Sequence, residues 1–436
     1  MRMKESGIAW VGSIPDNWRT IRIKHLKNGE ENSFIDGDWI ESPYITDKGI
    51  RYYTTGNIGD GYFKDQGNGY ISEATFKELQ CKYAYAGELV FSRLNAPYGR
   101  SCILPEKPEK CVLAVDNVIL RTNENKKYIC YVTQCFGYQD SVFDKAAGTT
   151  MKRISRTNLG NIRIPLPPLH EQQAIASYLD DRCSKIDEII AEAEKSIEEY
   201  KELKQAVIFE AVTKGLDKNV PMKDSGVEWI GEIPVAWSVR KLKTLLLKPL
   251  QYGANESGVE YDEQLPRYIR ITDVTSEGGL KTEGKLSLTE EQAQSYILDD
   301  KDILFARSGG TVGKAFFYRV EYGYSAFAGY MIRAKVDSHI INPELVYYAT
   351  LASNYNDWKA ITMTQATIPN IGASKYADFS VVVPIKEEQD ELVEYLRRST
   401  EKIDALISEK QALIEDLQAY KKSIIYEVVT GKRRVV

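Results

Sequence analysis

The chain carries one unit twice. The string KESGIAWVGSIPDNW from Lys4 returns from Lys223 as KDSGVEWIGEIPVAW. Trp10, Gly12, Pro15 and Trp18 thereby fall on Trp229, Gly231, Pro234 and Trp237 at an offset of 219. The match resumes late in each half, where HEQQAIASYLDDRCSKIDEII from His170 faces EEQDELVEYLRRSTEKIDALI from Glu387 at an offset of 217. Offsets this steady mean two copies with few insertions. A repeat of this length is too long for a solenoid or propeller. It predicts a chain that imitates a symmetric dimer, suited to a two-part target or to two identical partners.

The 436 residues, 43% of them hydrophobic, hold material for about two to four compact domains. No run of about 18 apolar residues occurs and the start lacks a charged-then-apolar pattern, which predicts a soluble cytoplasmic protein with no membrane association. Cys81, Cys102, Cys111, Cys130, Cys135 and Cys183 lie in the first half and have no counterparts in the second. A disulfide framework or a structural zinc site would have been duplicated with the fold, so free thiols are expected. The net charge of −5 argues against strong nucleic-acid binding, yet residues 1–169 hold 23 Lys+Arg against 19 Asp+Glu. Acid concentrates in 170–218 instead. DNA binding by this chain alone should be weak, with a partner supplying part of the phosphate neutralisation.

Four segments follow from the pattern: 1–165, 166–218, 219–383 and 384–436. Residues 1–165 and 219–383 mix glycine, tyrosine and short β-type runs such as Leu89-Val90-Phe91, which predicts two tandem α/β (α+β) domains. Pro165-Leu166-Pro167-Pro168 stops the first domain, and a long helix follows it. In that helix Ile175, Leu179, Arg182, Ile186, Ile189, Ala193, Ser196, Tyr200, Leu203 and Val207 alternate in steps of four and three. The second helix repeats the steps from Leu392 to Ile424. Both read as the 3.5-residue seam of a coiled coil, and their matched lengths predict an antiparallel intramolecular pair with pseudo-two-fold symmetry. A generic oligomerisation coiled coil is the alternative. Between the repeated ends, Glu88–Arg93 corresponds to Asp302–Arg307, and Gly99-Arg100 to Gly313-Lys314, while the connecting loops differ. One frame with two sets of loops suits a protein that reads two different things with one geometry.

These residues resemble a known family, the specificity subunit of type I restriction-modification systems. The resemblance rests on GIAWVGSIPDNW and its repeat, on GTTMKRISRTNLGNIRIPLPPLHEQ from Gly148, and on TQATIPNIGASKYADFSVVVPIKEEQ from Thr364. The helix ends EAVTKG and EVVTGK complete it. The second copy departs in one place, where Pro384-Ile385 stands for the fuller proline cluster. The resemblance implies two target recognition domains reading a bipartite site on double-stranded DNA. It also implies helices that set the unread gap and dock two methyltransferase subunits, which restriction subunits then join. S-adenosylmethionine would be used by the methyltransferase, and ATP and Mg by the restriction subunit; no cofactor is expected on this chain.

No catalytic constellation emerges from the residues. Asn95-Ala96-Pro97-Tyr98 approaches the Asn-Pro-Pro-Tyr motif of adenine methyltransferases but lacks its middle proline and any preceding glycine-rich fingerprint. Ser308–Lys314 misses the phosphate-loop pattern at its first glycine and at Ala315. His25, His170 and His339 are scattered, and no metal site is expected. The chain reads as a non-catalytic recognition subunit, against the alternative of a coiled-coil scaffold with peptide- or protein-binding ends. Base reading needs Arg, Lys, Asn or Gln, and phosphate contact adds hydroxyls and amides. Candidates in the first domain are Lys48, Arg51, Lys64, Arg93, Asn95, Arg100, Thr149, Thr150, Lys152, Arg153 and Arg156. In the second they are Arg267, Arg270, Arg307, Lys314, Lys359, Gln365 and Lys375. The four repeated tryptophans are expected to be core anchors.

Overall fold

Glycine and proline shape the repeated opening. Gly12 and Gly231 adopt φ of +67° and +74°, a left-handed turn that glycine makes at no steric cost. The chain therefore folds back into the ribbons Met3–Glu5 with Ser13–Pro15 and Met222–Asp224 with Glu232–Pro234. Residues 2–67, 69–148, 152–275, 278–363 and 369–435 are described by the computed structural model. They divide into two compact units, Met1–Ala193 with Ala412–Val436, and Glu194–Gln411. Each unit holds one globular domain and parts of both long helices, Leu169–Lys214 and Lys386–Val429.

In the first domain an antiparallel sheet runs in the order Phe34–Asp36, Asn117–Leu120, Leu89–Ser92, Ser101–Ile103. A second sheet runs Tyr70–Ile71, Ile50–Tyr53, Lys110–Leu113, Ala84–Tyr85, with a parallel pairing between Ile50–Tyr53 and Lys110–Leu113. The second domain repeats the first sheet as Gln251–Tyr252, Met331–Ala334, Ile303–Ala306, Ala315–Phe317. It also repeats the parallel pairing, between Arg267–Ile269 and Ser325–Phe327. Where the two sheets meet, a Cβ on Gly37 would lie 2.3 Å from the Leu113 carbonyl oxygen. One on Gly253 would lie 2.4 Å from that of Phe327. Only glycine fits such a backbone approach, and both copies have it. The expected α/β class with two tandem domains is what the chain forms, and the six cysteines are free and buried.

The N-terminal strand Arg19–Arg22 pairs with Arg163–Leu166, which runs through Pro167-Pro168 into the first long helix. Ser238–Lys241 pairs with Ser380–Val383 in the same way before the second. A shared set of bonds fixes each domain to the helix it feeds. Trp18 Nε1 donates to Glu171 Oε2 (2.8 Å), and Trp237 Nε1 to Glu388 Oε2 (2.7 Å). One residue further, the buried Gln172 accepts from the Asn125 N–H (2.9 Å) and donates to Pro167 O (2.9 Å) and Glu124 Oε2 (2.6 Å). Its counterpart Gln389 accepts from the Asn342 N–H (2.8 Å) and donates to Pro384 O and Ile340 O (both 3.1 Å). Trp18 and Trp237 are core residues as expected, whereas Trp10 and Trp229 are half-buried.

Helix pairing is antiparallel within each unit. In the first, Ile175, Leu179 and Cys183 share a core with Ile424, Ile425 and Val428, and Asp187 pairs with Lys421 (2.6 Å). In the second, Ile208 and Val212 share a core with Leu392 and Leu396, and Lys204 pairs with Asp404 (2.6 Å). The seam itself differs from the heptad expectation. Ile175, Ile186, Ile197 and Ile208 are buried at steps of eleven, as are Leu392, Ile403, Ile414 and Ile425. Cys183 and Ile197 face inward in place of Arg182 and Ser196, while Ile189 and Leu203 are 46% and 48% exposed. The reason is geometric: eleven residues over three turns give about 3.67 per turn, close to the ideal 3.6, whereas a 3.5 stripe drifts around a straight helix.

Candidate nucleic-acid interface

Three of the expected readers are brought together in the first domain, at one end of the antiparallel sheet. Arg93 follows the strand Leu89–Ser92, Arg153 sits on a backbone bridge to Leu94, and Arg156 opens the short helix Arg156–Asn161. Two carboxylates hold them. Arg93 Nε lies 3.3 Å from Asp36 Oδ1 and its Nη2 lies 3.3 Å from Asp116 Oδ1. Arg156 Nη1 reaches Asp36 Oδ2 at 3.3 Å, and Arg153 Nη1 reaches Asp116 Oδ1 at 3.5 Å. Arg93 is buried at the centre and also donates to Val115 O (2.7 Å). The side chains of Arg153 and Arg156 stay 57% and 42% exposed. Such a chain of alternating charge keeps Arg93 paired on two sides, as a buried cation requires.

Sheet register identifies the same places in the second domain. Val118 faces Asp36 and Ile332 faces Tyr252, so Tyr252 stands for Asp36. Tyr330, before the strand Met331–Ala334, stands for Asp116, and Asn370, bridged to Ser308, stands for Arg153. Here Arg307 stacks over the Tyr252 ring, its guanidinium carbon 4.9 Å from the centroid. The arginine is common to both copies. Its surroundings are ionic in the first and aromatic in the second.

Other expected readers take structural roles. Arg100 is buried and donates to the carbonyls of Ile58 (2.5 Å), Thr55 (2.8 Å) and Asn95 (2.6 Å), tying two loops together. Arg51 donates to Gly67 O and to Gly69 O (3.1 Å) between the rings of Tyr53 and Tyr70. Arg267 donates to Lys281 O (2.6 Å), and Arg270 clasps Asp273 with two bonds of 2.9 and 2.7 Å. Lys314 donates to Thr275 O. Lys359 packs against Gly313, with its ammonium 5.3 Å from the Tyr355 ring centroid, and burial lowers its pKa. Lys48, Lys64, Asn95, Lys152 and Lys375 are exposed, and Asn95 holds φ at +63°. Thr149, Thr150 and Gln365 lie outside the described residues.

Sequence reasoning missed Asp36, Asp116, Tyr252 and Tyr330. The signal available was the repeat itself, since a polar residue directly before a matched strand (Asp116 against Tyr330) changes character between copies. Among the described residues no group of His, Cys, Asp or Glu could hold a metal ion, and no helix is long and apolar enough to cross a membrane.

Comparison with known proteins gives a consistent result. The sequence model described as the type I restriction modification DNA specificity domain matches twice, over residues 15–199 and 237–416. A putative type I restriction enzyme MjaX specificity subunit of Methanocaldococcus jannaschii is 26% identical, covering 98% of this chain and 96% of its own. The StySPI specificity subunit of Salmonella potsdam is 23% identical over 97% of this chain and 90% of its own. Among solved structures, a chain from a study of complex assembly and conformational transition of the type I R-M system has a similar fold. Its TM-score is 0.71 at 13% identity, with 96% of this chain and 99% of that one covered. The HsdS subunit of Thermoanaerobacter tengcongensis gives a TM-score of 0.51, also at 13% identity, covering 96% and 98%.

Proposed function

Because the chain belongs to the type I restriction-modification DNA specificity family, we propose that it is the non-catalytic subunit that reads a bipartite target on double-stranded DNA and docks two methyltransferase subunits. Each domain reads one half-site. The observation that carries this reading is one frame with two different faces: Arg93 among carboxylates in the first copy, Arg307 against tyrosine in the second. Exposed side chains at these places, with Lys152, Asn95 and Lys375 nearby in sequence, supply base-edge and phosphate contacts. Arg51, Arg100, Arg267 and Arg270 act at one remove, by holding the loops in shape.

Docking is supported by the long helices. Ile189 and Leu203 on the first, and their repeat equivalents Leu406 and Tyr420 on the second, are exposed apolar side chains in otherwise charged surroundings. Equivalent apolar positions in two copies suit two identical partners. The methyltransferase brings S-adenosylmethionine, and restriction subunits bring ATP and Mg. The test is methylome sequencing after replacing residues 1–165 with those of a relative. One half of the methylated sequence should change and the other persist; changes in both halves would refute independent reading.

A further inference from the structure

The first domain's arginines are not free to meet phosphate. Arg153 and Arg156 are exposed enough to reach DNA, yet each already lies against a carboxylate at 3.5 and 3.3 Å. Asp36 Oδ1 and Asp116 Oδ1 are buried and make no aligned hydrogen bond, so their interactions here are the charge contacts themselves. These acids cannot be explained as general features of the frame. The equivalent positions in the second domain are Tyr252 and Tyr330, and the frame is unchanged. At the matching place Arg307, which is half-buried where Arg93 is buried, lies over a tyrosine ring with no carboxylate at either equivalent position.

We infer that Asp36 and Asp116 are affinity-limiting residues of the first domain's DNA face, a counter-charge that DNA phosphates must outcompete before Arg153 and Arg156 engage. The inference rests on the DNA-reading function proposed above. An uncommitted arginine gains from any phosphate of any sequence. One held by a half-buried carboxylate gives up that pair on binding and leaves an acid facing the phosphates, a repulsion that penalises all duplexes alike. The ratio of target to non-target affinity is unchanged by such a cost; what falls is the absolute affinity, so only a target that adds base contacts still binds appreciably. The second domain lacks the device and relies on neutral, aromatic surroundings.

The test measures binding of the full-length chain to a short random-sequence duplex by fluorescence anisotropy across a salt series. Asp116→Asn and Asp36→Asn should each tighten binding about three- to tenfold and steepen the slope of log K against log salt by roughly one phosphate equivalent. Asp47→Asn, an exposed acid of the same domain, should do neither. In Asp116→Asn/Arg153→Ala the gain should vanish. Unchanged or weaker binding by both Asn variants, with wild-type melting, would overturn the inference, as would a gain that survives Arg153→Ala. Absence of binding by every variant, with and without the methyltransferase, would instead overturn the DNA reading and this inference with it.

Discussion

Replacing Gln172 with methionine tests whether each domain is fixed to its helix by hydrogen bonding or by packing alone. Methionine keeps the length of the side chain and removes its amide. Three bonds go: from the Asn125 N–H, to Pro167 O and to Glu124 Oε2. Glu124 retains Arg19 at 3.2 Å and some solvent access, so its loss is small. The Asn125 N–H and the Pro167 carbonyl are left facing an apolar sulfur, at about 1–3 kcal/mol each for an unmet buried group. The expected loss is thus about 2–6 kcal/mol in the first unit. Gln389→Met is an internal replicate, because Gln389 serves the Asn342 N–H, Pro384 O and Ile340 O in the second. Native-state hydrogen exchange resolves the two units where a single melting curve would not. Protection should fall around 125–133 in the first variant and around 342–349 in the second. A loss below about 0.5 kcal/mol in both would show that packing of Trp18 and Trp237 suffices and that the glutamine bonds are incidental.

Three further outcomes are expected. Burial pushes the Asp302 carboxyl up to about 6, so the folded state keeps a proton that the unfolded chain has released. That stabilisation is present below about pH 4 and lost as pH rises through 6, and urea titrations of wild type against Asp302→Asn should diverge by about 3 kcal/mol, favouring Asn at higher pH. A pH-independent difference would refute it. Ile189→Ser with Leu406→Ser should leave melting nearly unchanged, because both side chains are exposed, yet native mass spectrometry should show fewer methyltransferase subunits per chain than the proposed two. Four residues inserted after Thr213 lengthen the first long helix by about 6 Å. At about 3.4 Å per base pair, methylome sequencing should show a preferred gap longer by one or two base pairs; an active mutant with an unchanged gap would show that the helices do not set the spacing.

The parts of the fold legible in the sequence were those the chain states twice. The opening ribbon, the strand pairs around Phe91 and Phe305, and both long helices follow from matched strings, because local turn chemistry and apolar patterning specify them. The repeat also marked Gln172 and Gln389, which stand at the same place in HEQ and EEQ. The reading surface was less legible. Arg93 and Arg100 are expected readers because they recur as Arg307 and Lys314, and the structure gives the two recurrent pairs different surroundings. Arg100 spends its guanidinium on carbonyls of two loops, and Lys314 reaches Thr275 O. What differs between the copies, Asp36 against Tyr252 and Asp116 against Tyr330, is what the proposed reading rests on, and no spacing rule points to it.

The helices fail in a different and instructive way. Steps of four and three are common to a heptad and to an eleven-residue repeat, and a heptad stripe drifts by only about 20° per seven residues around a straight helix. Over the first turns Ile175, Leu179 and Ile186 satisfy both. Beyond Ile186 the heptad continues through Ile189, Ala193 and Leu203, whereas burial keeps Ala193 and then passes to Ile197 and Ile208. Both sets are apolar, so the sequence carries two stripes that separate along the helix. The inner stripe closes the pair within each unit, and the outer one is left on the surface at equivalent positions of the two copies. A single seam would need no second stripe. Its presence in both halves, among side chains that are otherwise charged, is the physical reason to offer the outer face to the methyltransferase subunits proposed to dock on this chain.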